Sequence, residues 1–478
     1  MTASCAQRGV SADFRLRRTL AMLCVAATAC QVASHSSVDQ PEVRLSERRQ
    51  GAPPPTIAQP SYPVDDRELL GTDWLRPHPP GALEASDGAA FRGSASGEET
   101  TAARVISASV ATPLAPTTFA AGRSYRLTFK ARRLGSSEAK LGIKFRTLEK
   151  ESFRSFLVGV SSTAPKHYQL DFTAPAFTAA AEFAIDVAGG GVSVEAVSLR
   201  MRAPISRIQP VASWAGSFVP DGYGLTFNDE FNGSELDRTR WFTRYIYGSE
   251  SVDRLNKENS RYADNGNHRL SGGILYLTAK QSKLSQPSGI NYESGMIRSD
   301  FTARYGFFEA RVKMPGGLGV WPAFWLNSDV SDSGKLSWPP EIDIFEFVNN
   351  GKEDKVNMLH VAVHGDAPGS KPRNTYLHRR FDARNGEYVA PFNFNDGWHT
   401  IGAEWTPKDV SIFVDGLKVV STTFDWRYRD GTLAAPAHVL LNLAIGDEWA
   451  GRHGIDNSAF PQSFAVDWVR VYEQVSSD

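Results

Sequence analysis

Short runs in which apolar and polar residues alternate recur along most of the chain, and they constrain its fold more than any other feature. Examples are Tyr125-Arg-Leu-Thr-Phe129, Phe183-Ala-Ile-Asp-Val187 and the run that begins at Ser411. Side chains of a strand point alternately to its two faces, so short period-two runs predict antiparallel strands. No long segment shows the 3.6-residue period of a helix, and Asp415-Gly416 predicts a tight hairpin. The sequence therefore predicts an all-β protein.

The alternating runs form two blocks, which predict two β-sandwiches within the 478 residues. The smaller sandwich is expected over 81–202 and the larger domain over 210–475. Residues 31–80 hold Pro53-Pro-Pro55 and further prolines among polar residues, without a periodic apolar pattern. That composition is typical of a tether between a leader and a folded domain.

Residues 1–30 have the layout of an export signal. Arginines at 15, 17 and 18 precede an apolar stretch from Leu20 to Thr28, which is too short to span a bilayer. Cleavage before Cys30 suits an ordinary signal peptidase, and lipoprotein processing at Cys30 is the alternative. We therefore expect a secreted or cell-surface bacterial protein, free or lipid-anchored at Cys30, with no integral membrane span after processing.

Cysteine usage and charge exclude several functional classes. The three cysteines all lie in the predicted leader, at Cys5, Cys24 and Cys30, so the domains downstream contain no disulfide, thiolate metal site or cysteine nucleophile. With 52 basic and 53 acidic side chains, the chain lacks the basic excess that binds nucleic acid or anionic membranes. We expect no nucleic-acid partner, and we expect a monomer.

One short segment concentrates acidic residues in an unusual way. In Glu341-Ile-Asp-Ile-Phe-Glu346, regular alternation places Glu341 and Asp343 on one face, while Ile342 and Ile344 point to the core. Glu346 would then point to the wrong face. A β-bulge at Ile344-Phe345 would turn it back beside the other two acids. The prediction is a row of three carboxylates on one strand, against the alternative of an acidic solvated face.

Such a row suits the cleavage of glycosidic bonds. One carboxylate attacks or stabilises the anomeric carbon, and a second carboxyl, kept protonated by its neighbours, donates to the leaving oxygen. Asp343 is expected to hydrogen-bond to Glu341 and orient it. All but one of the eleven tryptophans lie at or beyond Trp214, and flat aromatic rings in a groove are surfaces on which sugars stack.

At this point the large domain resembles a known family. Glu341-Ile-Asp-Ile-Phe-Glu346 is similar to the catalytic E-x-D-x-x-E strand of glycoside hydrolase family 16, in the bulged form of laminarinase-like members. Flanking motifs resemble the family in the same order, and together they cover about 210–475: they are Leu225–Phe231, Tyr305–Arg311, Gly319–Trp325, Asn442–Gly451 and Phe460–Tyr472. The resemblance implies a concanavalin-like β-jelly-roll with a concave, substrate-binding sheet and a retaining, double-displacement mechanism.

The resemblance also implies roles for individual residues. Glu341 would be the nucleophile, Asp343 its partner and Glu346 the acid/base. Five further positions match sugar-binding residues, with packing in the core as the alternative for the tryptophans and His360: Trp321, Trp325, His360, Trp449 and Glu258. Near Glu258, Lys257 stands where relatives carry asparagine. A metal pair of His360 and His364 is not expected, because two histidines without a third ligand make a poor site.

No cofactor is required for such chemistry, but the resemblance implies a structural calcium on the convex side. In relatives the ligands are backbone oxygens near the opening strands and an aspartate of the closing strand, and the matching positions here are Glu230, Gly273 and Asp467. For Asp467 the alternative is an ordinary surface carboxylate.

The expected partner is a polysaccharide, with β-1,3-glucan or mixed β-1,3-1,4-glucan as the first substrate hypothesis. Galactan hydrolysis within the same family is one alternative, and a non-catalytic glycan-recognition protein is another. The small sandwich resembles carbohydrate-binding modules only generically. Glycan binding and a purely structural spacer therefore both stay open for residues 81–202.

Overall fold

The structure, a computed structural model, describes residues 103–106, 110–114, 119, 123–147, 152–174, 181–201, 217–245, 253–282, 290–328, 338–365, 377–380 and 386–475. The predicted leader and tether lie outside the described residues. Regular structure in these ranges is almost entirely β-strand, with one four-residue α-helix, α1 (Asp447–Ala450), and one 3-10 helix, Asn457–Ala459. The all-β prediction is confirmed. No helix in the described part of the chain is long and apolar enough to cross a bilayer.

The smaller unit is a sandwich of two four-stranded antiparallel sheets, ordered β1-β8-β3-β6 and β2-β7-β4-β5. Its strands are β1 (Ala103–Ile106), β2 (Val110–Leu114), β3 (Ser124–Arg133), β4 (Ala139–Thr147), β5 (Ser152–Val160), β6 (Lys166–Thr173), β7 (Ala181–Ala188) and β8 (Val192–Met201). Strand β4 alternates strictly between buried and half-buried residues, as the sequence pattern predicts. Stacked rings fill the space between the sheets, for example Phe145 and Phe172 at 4.4 Å between centroids.

The larger unit consists of an eight-stranded and a ten-stranded sheet. The eight-stranded sheet runs β10-β15-β25-β17-β18-β19-β20, with β21 beside β19; the ten-stranded sheet runs β11-β14-β13-β26-β16-β22-β23-β24, with β12 beside β13 and β9 beside β26. The strands of the first half are β9 (Tyr223–Asp229), β10 (Trp241–Phe242), β11 (Ser260–Tyr262), β12 (His268–Ser271), β13 (Ile274–Gln281), β14 (Tyr292–Ser294), β15 (Met296–Ala303), β16 (Gly306–Lys313) and β17 (Val320–Ser328). Those of the second half are β18 (Glu341–Glu346), β19 (Met358–Gly365), β20 (Leu377–Arg380), β21 (Glu387–Val389), β22 (His399–Trp405), β23 (Asp409–Val414), β24 (Leu417–Thr423), β25 (Ala437–Ile445) and β26 (Gln462–Gln474).

A continuous apolar core lies between the two large sheets. Phe345 of β18 meets Phe464 of β26 edge to face at 6.1 Å, which joins the sheets across the middle of the sandwich. Ile342 and Ile344 are fully buried in the same core. One face of β18 is thus committed to the core, and only its other face is available for polar side chains.

The predicted hairpin between β23 and β24 is confirmed. Val414 pairs with Leu417 across a two-residue turn in which Asp415 and Gly416 have φ of 49° and 80°. Two left-handed residues in succession are the signature of a type I′ turn, which aspartate and glycine adopt at little cost.

Candidate active site

The catalytic-strand candidate β18 contains the predicted bulge. Asp343 pairs with Ala362 and Glu346 with His360, so three residue steps on β18 match two on β19. On the other side, β17 shows a register shift at the same place, between Phe324 and Trp325. The extra residue restores Glu346 to the face of Glu341 and Asp343, while Ile344 and Phe345 are both fully buried in the core.

The three acids lie in a cleft of about 660 Å³ on the eight-stranded sheet. This volume is typical of a site that binds a substantial part of a ligand. Aromatic, apolar and polar side chains line the cleft: Tyr245, Leu255, Asn256, Glu258, Trp321, Ala323, Trp325, Trp338, Glu341, Asp343, Glu346, Asn442 and Ala444. The cleft therefore combines a cluster of carboxyl groups with four aromatic rings.

Glu341 is held by two N–H donors. Its Oε2 accepts hydrogen bonds from Asn327 Nδ2 at 2.8 Å and from Trp338 Nε1 at 3.1 Å. Asn327 stands directly opposite Glu341 on β17, and Trp338 precedes it by three residues. Both donors stabilise the ionised carboxylate and fix its orientation.

Asp343 pairs with a histidine of the neighbouring strand. His364 Nε2 lies 2.7 Å from Asp343 Oδ2 and 3.5 Å from Glu341 Oε1. The sequence analysis expected Asp343 to hydrogen-bond directly to Glu341, whereas in the structure His364 stands between the two carboxylates. Strand pairing explains this, because β19 places His364 opposite Glu341.

Glu346 sits at the other end of the row, against a wall of aromatic rings. Its Oε1 accepts a hydrogen bond from Trp321 Nε1 at 3.1 Å. Trp321 in turn contacts Trp449 edge to face at 5.2 Å. Glu346 thus has one strong donor where Glu341 has two.

Burial raises the pKa of all three carboxyls. The pKa of Glu341 rises to about 8, through burial first and then through the negative charge of Asp343. Burial also raises the pKa of Asp343, and burial followed by the charge of Asp343 raises that of Glu346. Three acids that resist joint ionisation retain a proton near neutral pH, which is the requirement for an acid catalyst. The two donors on Glu341 stabilise its ionised form and lower its pKa, although burial outweighs them.

His360 belongs to a second group beside the acid row. Its Nε2 approaches Asp354 Oδ1 to 2.8 Å, outside hydrogen-bond alignment, and its ring meets Trp449 at 4.7 Å. Trp449 Nε1 donates to the other oxygen of Asp354 at 2.8 Å. The structure thus brings His360, Trp449 and Trp321 together next to Glu346, and Asp354 fixes their orientation. His360 and His364 turn to different aspartates, Asp354 and Asp343.

A family comparison covers this whole domain. The sequence profile described as "Beta-porphyranase A-D, GH16 domain" matches residues 225–474, more than half of the chain and all three acids. The chain belongs to glycoside hydrolase family 16. It is accordingly a glycosidase, and its catalytic domain is the larger sandwich.

Individual relatives of this family-16 chain are β-glucanases. It is 31% identical over 264 residues to a beta-glucanase of Rhodothermus marinus, covering 52% of this chain and 85% of that protein. It is 29% identical over 267 residues to the endo-1,3-1,4-beta-glycanase ExsH of Rhizobium meliloti, covering 52% of this chain and about half (51%) of that protein. Among solved structures it is similar to the laminarinase from Rhodothermus marinus, with 29% identity, a TM-score of 0.42, and coverage of 53% of this chain and 98% of that one.

Two other predicted subsite residues of the family-16 domain line the cleft but are largely buried. Trp325 is 6% exposed, donates to Asn442 Oδ1 at 2.8 Å and packs with Tyr245 and Tyr262 in a small aromatic cluster. Glu258 accepts a hydrogen bond from the backbone N–H of Asn256 at 2.8 Å, and burial raises its pKa to about 7. Trp325 therefore packs in this aromatic cluster and also forms part of the cleft lining.

The predicted calcium residues lie in or beside the ten-stranded sheet, and both acidic side chains among them pair with arginines. Glu230 forms a buried two-pronged pair with Arg470, at 2.9 Å for both contacts. Asp467 is paired with Arg311. Gly273 contributes no side chain, although it lies near the Glu230 carbonyl. A cation beside Asp467 would compete with the Arg311 guanidinium, whereas the Glu230 ion pair engages only its carboxylate and leaves its backbone carbonyl beside Gly273.

Seven residues in or beside the cleft were not predicted as site residues from the sequence: Tyr245, Leu255, Asn327, Trp338, His364, Asn442 and Asp354. Asn442 begins one of the family motifs, and Trp338 lies three residues before Glu341. His364 lies four residues after His360 on the same strand face, so strand parity could have identified it. Tyr245 and Leu255 carry no local signal. They reach the cleft only through the path of the chain between β10 and β11.

Proposed function

We propose that this protein is an endo-acting, retaining glycosidase that cleaves β-1,3-glucan or mixed β-1,3-1,4-glucan. The observation that carries the proposal is the bulge in β18, which aligns Glu341, Asp343 and Glu346 on the floor of an aromatic cleft. Binding a glycan requires rings and hydrogen-bond donors, but it does not require three buried carboxyls. Hydrolysis by double displacement requires two of them, a nucleophile and an acid/base, and the third can tune their charge.

In the first half of the proposed reaction, Glu341 attacks the anomeric carbon while Glu346 protonates the departing glycosidic oxygen. A covalent glycosyl–Glu341 ester forms, and the leaving chain takes the proton of Glu346. Asn327 and Trp338 hold the attacking carboxylate in place. Asp343 and His364 balance the charge beside it, because the aspartate pairs with the imidazole rather than repelling Glu341 alone.

In the second half, Glu346 acts as the base. It takes a proton from water, the resulting hydroxide attacks the anomeric carbon, and Glu341 leaves as a carboxylate. Two inversions give a product with the configuration of the substrate. Trp321, which donates to Glu346, would hold this carboxyl in place through both steps.

The choice of a β-glucan rests on charge and on the relatives. The charged residues that line the described cleft are all acidic, and none of its lining residues is lysine or arginine. A sulfated galactan would bring further negative charge next to Glu258, Glu341 and Glu346, which costs binding energy without a compensating cation. Neutral glucan chains avoid this penalty. Relatives named beta-glucanase and 1,3-1,4-beta-glycanase favour the same substrate class.

Galactan hydrolysis is the second candidate, and one specific observation favours it. The profile that matches residues 225–474 is described for beta-porphyranases, not for laminarinases. The same three acids would perform that reaction. Only the sugar contacts along the cleft would differ.

The proposal is tested with purified wild-type protein and the Glu341→Gln variant on laminarin, barley mixed-linkage glucan, agarose and carrageenan. We expect reducing ends from one or both glucans with wild type, none with Glu341→Gln, and retained binding by the variant. NMR of the first product should show the β-anomer. Release from galactans alone would replace the substrate assignment, an α-anomer would refute double displacement, and binding without any hydrolysis would favour a glycan-recognition protein.

We also propose that the protein is exported. This rests on the basic and apolar layout of residues 1–30, which lie outside the described residues. Mass spectrometry of the protein recovered from its native cells should show a mature N-terminus at or near Cys30. An acylated Cys30 would favour the lipid anchor over free secretion.

A further inference from the structure

The small sandwich and the catalytic domain are joined by buried ion pairs. Arg126 of β3 binds Asp171 of β6 through two contacts, at 3.0 and 3.1 Å, and reaches Asp300 of the catalytic domain at 2.8 Å. Its guanidinium also lies 5.0 Å from the ring of Phe242. All three charged residues are at most 7% exposed. A single buried cation is therefore shared between the two domains.

A second buried cluster lies at the ends of β4 and β5. Arg261 of the catalytic domain pairs with Glu138 of the small sandwich and, at 3.0 Å, with Glu293 of its own domain. The backbone N–H of Gly159 donates to Asp253 Oδ2 at 3.2 Å. Between these clusters, Arg244 lies 5.4 Å from the ring of Tyr168, which adds a cation–π contact.

Gly159 marks how closely the two domains approach at this cluster. A Cβ at position 159 would lie 2.6 Å from both Asp253 Oδ2 and Glu138 Oε1, and closer still to Arg261. Those three side-chain ends are buried and bonded to one another, so they cannot simply turn away. The contact between the two domains at position 159 therefore requires glycine.

On the catalytic domain, the residues of this interface are sequence neighbours of residues that line the cleft. Arg244 is followed by Tyr245, which lines the cleft, and Asp253 lies two residues before Leu255, which also lines it. Arg261 precedes Tyr262, whose hydroxyl accepts from the cleft residue Asn442 at 2.9 Å. In the segments 241–245 and 253–262, side chains such as Arg244, Asp253 and Arg261 contact the small sandwich. Their neighbours Tyr245 and Leu255 line the cleft.

From this arrangement we propose that the small sandwich is a positioning domain: through the Arg126 and Arg261 ion clusters it holds the wall of the substrate cleft that Tyr245, Leu255, Asn256 and Glu258 form. Asp253, Arg261 and Arg244 act as positioning residues, because they touch the wall and not the substrate. The inference rests on the proposed function, since it assigns a consequence for polysaccharide binding in the same cleft. It also gives the small sandwich a role other than glycan capture.

The surface of the small sandwich supports that role. The eight aromatic side chains described in it are buried and offer no exposed ring for a sugar: Phe119, Tyr125, Phe129, Phe145, Phe156, Tyr168, Phe172 and Phe183. Tyr168, the ring nearest the catalytic domain, is already covered by Arg244. These eight rings therefore pack inside the small sandwich and offer no platform on which a glycan could stack.

The test uses full-length variants altered only on the small sandwich. Glu138→Gln removes the charge that pairs with Arg261. Gly159→Ala adds a methyl group that would clash with Arg261, Asp253 and Glu138 at the interface. Glu182→Gln is the matched control, because Glu182 is equally buried in the small sandwich but pairs with Arg146 of its own domain at 2.5 Å. Glu138→Asp keeps the carboxylate. KM and kcat are measured on the glucan that wild type cleaves fastest, well below the melting temperature of every variant.

We expect Glu138→Gln and Gly159→Ala to raise KM roughly three- to tenfold while kcat stays within about twofold of wild type, because the acids are untouched. Glu138→Asp should recover part of the loss, and Glu182→Gln should match wild type. Unchanged KM in both interface variants, or an equal rise in Glu182→Gln, would overturn the inference. Failure of wild type to cleave any polysaccharide would instead refute the proposed function, so the two failures are distinguishable.

Discussion

Asp343→Asn removes one negative charge from the acid row and leaves its shape almost unchanged. Carboxylate oxygens of Glu341 and Asp343 and a ring nitrogen of His364 all lie within 4.8 Å of one another. At an effective dielectric constant of about 20, two charges at that distance repel by about 3.5 kcal/mol, or about 2.5 pKa units. His364 is bonded to Asp343 and offsets part of this repulsion, so we expect a net shift of about one unit.

The sign of that shift is fixed by the charges. Asp343 raises the pKa of Glu341 and of Glu346, so its neutralisation lowers both. In the proposed mechanism the acidic limb of kcat/KM follows ionisation of Glu341, and the alkaline limb follows deprotonation of Glu346. Both limbs of the pH profile should therefore move to lower pH by about one unit in Asp343→Asn.

The assay is the pH dependence of kcat/KM on the preferred glucan, with Glu258→Gln as the control. Glu258 is also a buried carboxyl of the cleft, but it is not among the main causes that raise the pKa of Glu341 or Glu346. Its variant should keep both limbs in place, whatever it does to KM. Limbs that stay fixed in Asp343→Asn, or that move to higher pH, would refute the electrostatic account of the row.

Three further outcomes are expected. Trp338→Phe keeps an aromatic ring but removes the N–H donor to Glu341. A hydrogen bond to a charged group contributes about 1.5–3 kcal/mol, so kcat/KM should fall about 10- to 100-fold. A fall of less than about twofold would contradict the role of Trp338 in holding Glu341. Arg470→Gln leaves the buried carboxylate of Glu230 without its ion pair. The free energy of unfolding, measured in urea, should fall by about 3–5 kcal/mol. A fall below about 1 kcal/mol would show that water already solvates the pair. EDTA should leave the melting temperature unchanged, because an arginine already neutralises Asp467; a clear drop, reversed by calcium, would show that the ion displaces this pairing.

The acid row is the part of the site that local sequence could predict. Strand parity placed Glu341 and Asp343 together and identified Glu346 as the residue that needed a bulge, and the register of β18 shows that bulge between Asp343 and Glu346. The partner of Asp343 was not predictable in the same way. His364 stands opposite Glu341 because β18 and β19 pair in one register, and register depends on both strands and on the loop between them.

The sequence by itself determined the all-β class, the Asp415-Gly416 hairpin and the face on which β18 carries its acids, because these follow from side-chain alternation and turn geometry within a few residues. Only the tertiary structure decided what surrounds them. Arg126 meets Asp300 across 174 positions and Arg261 meets Glu138 across 123. Contacts of that range arise from how whole sheets and domains pack, and no local pattern encodes which distant charge a buried arginine will find.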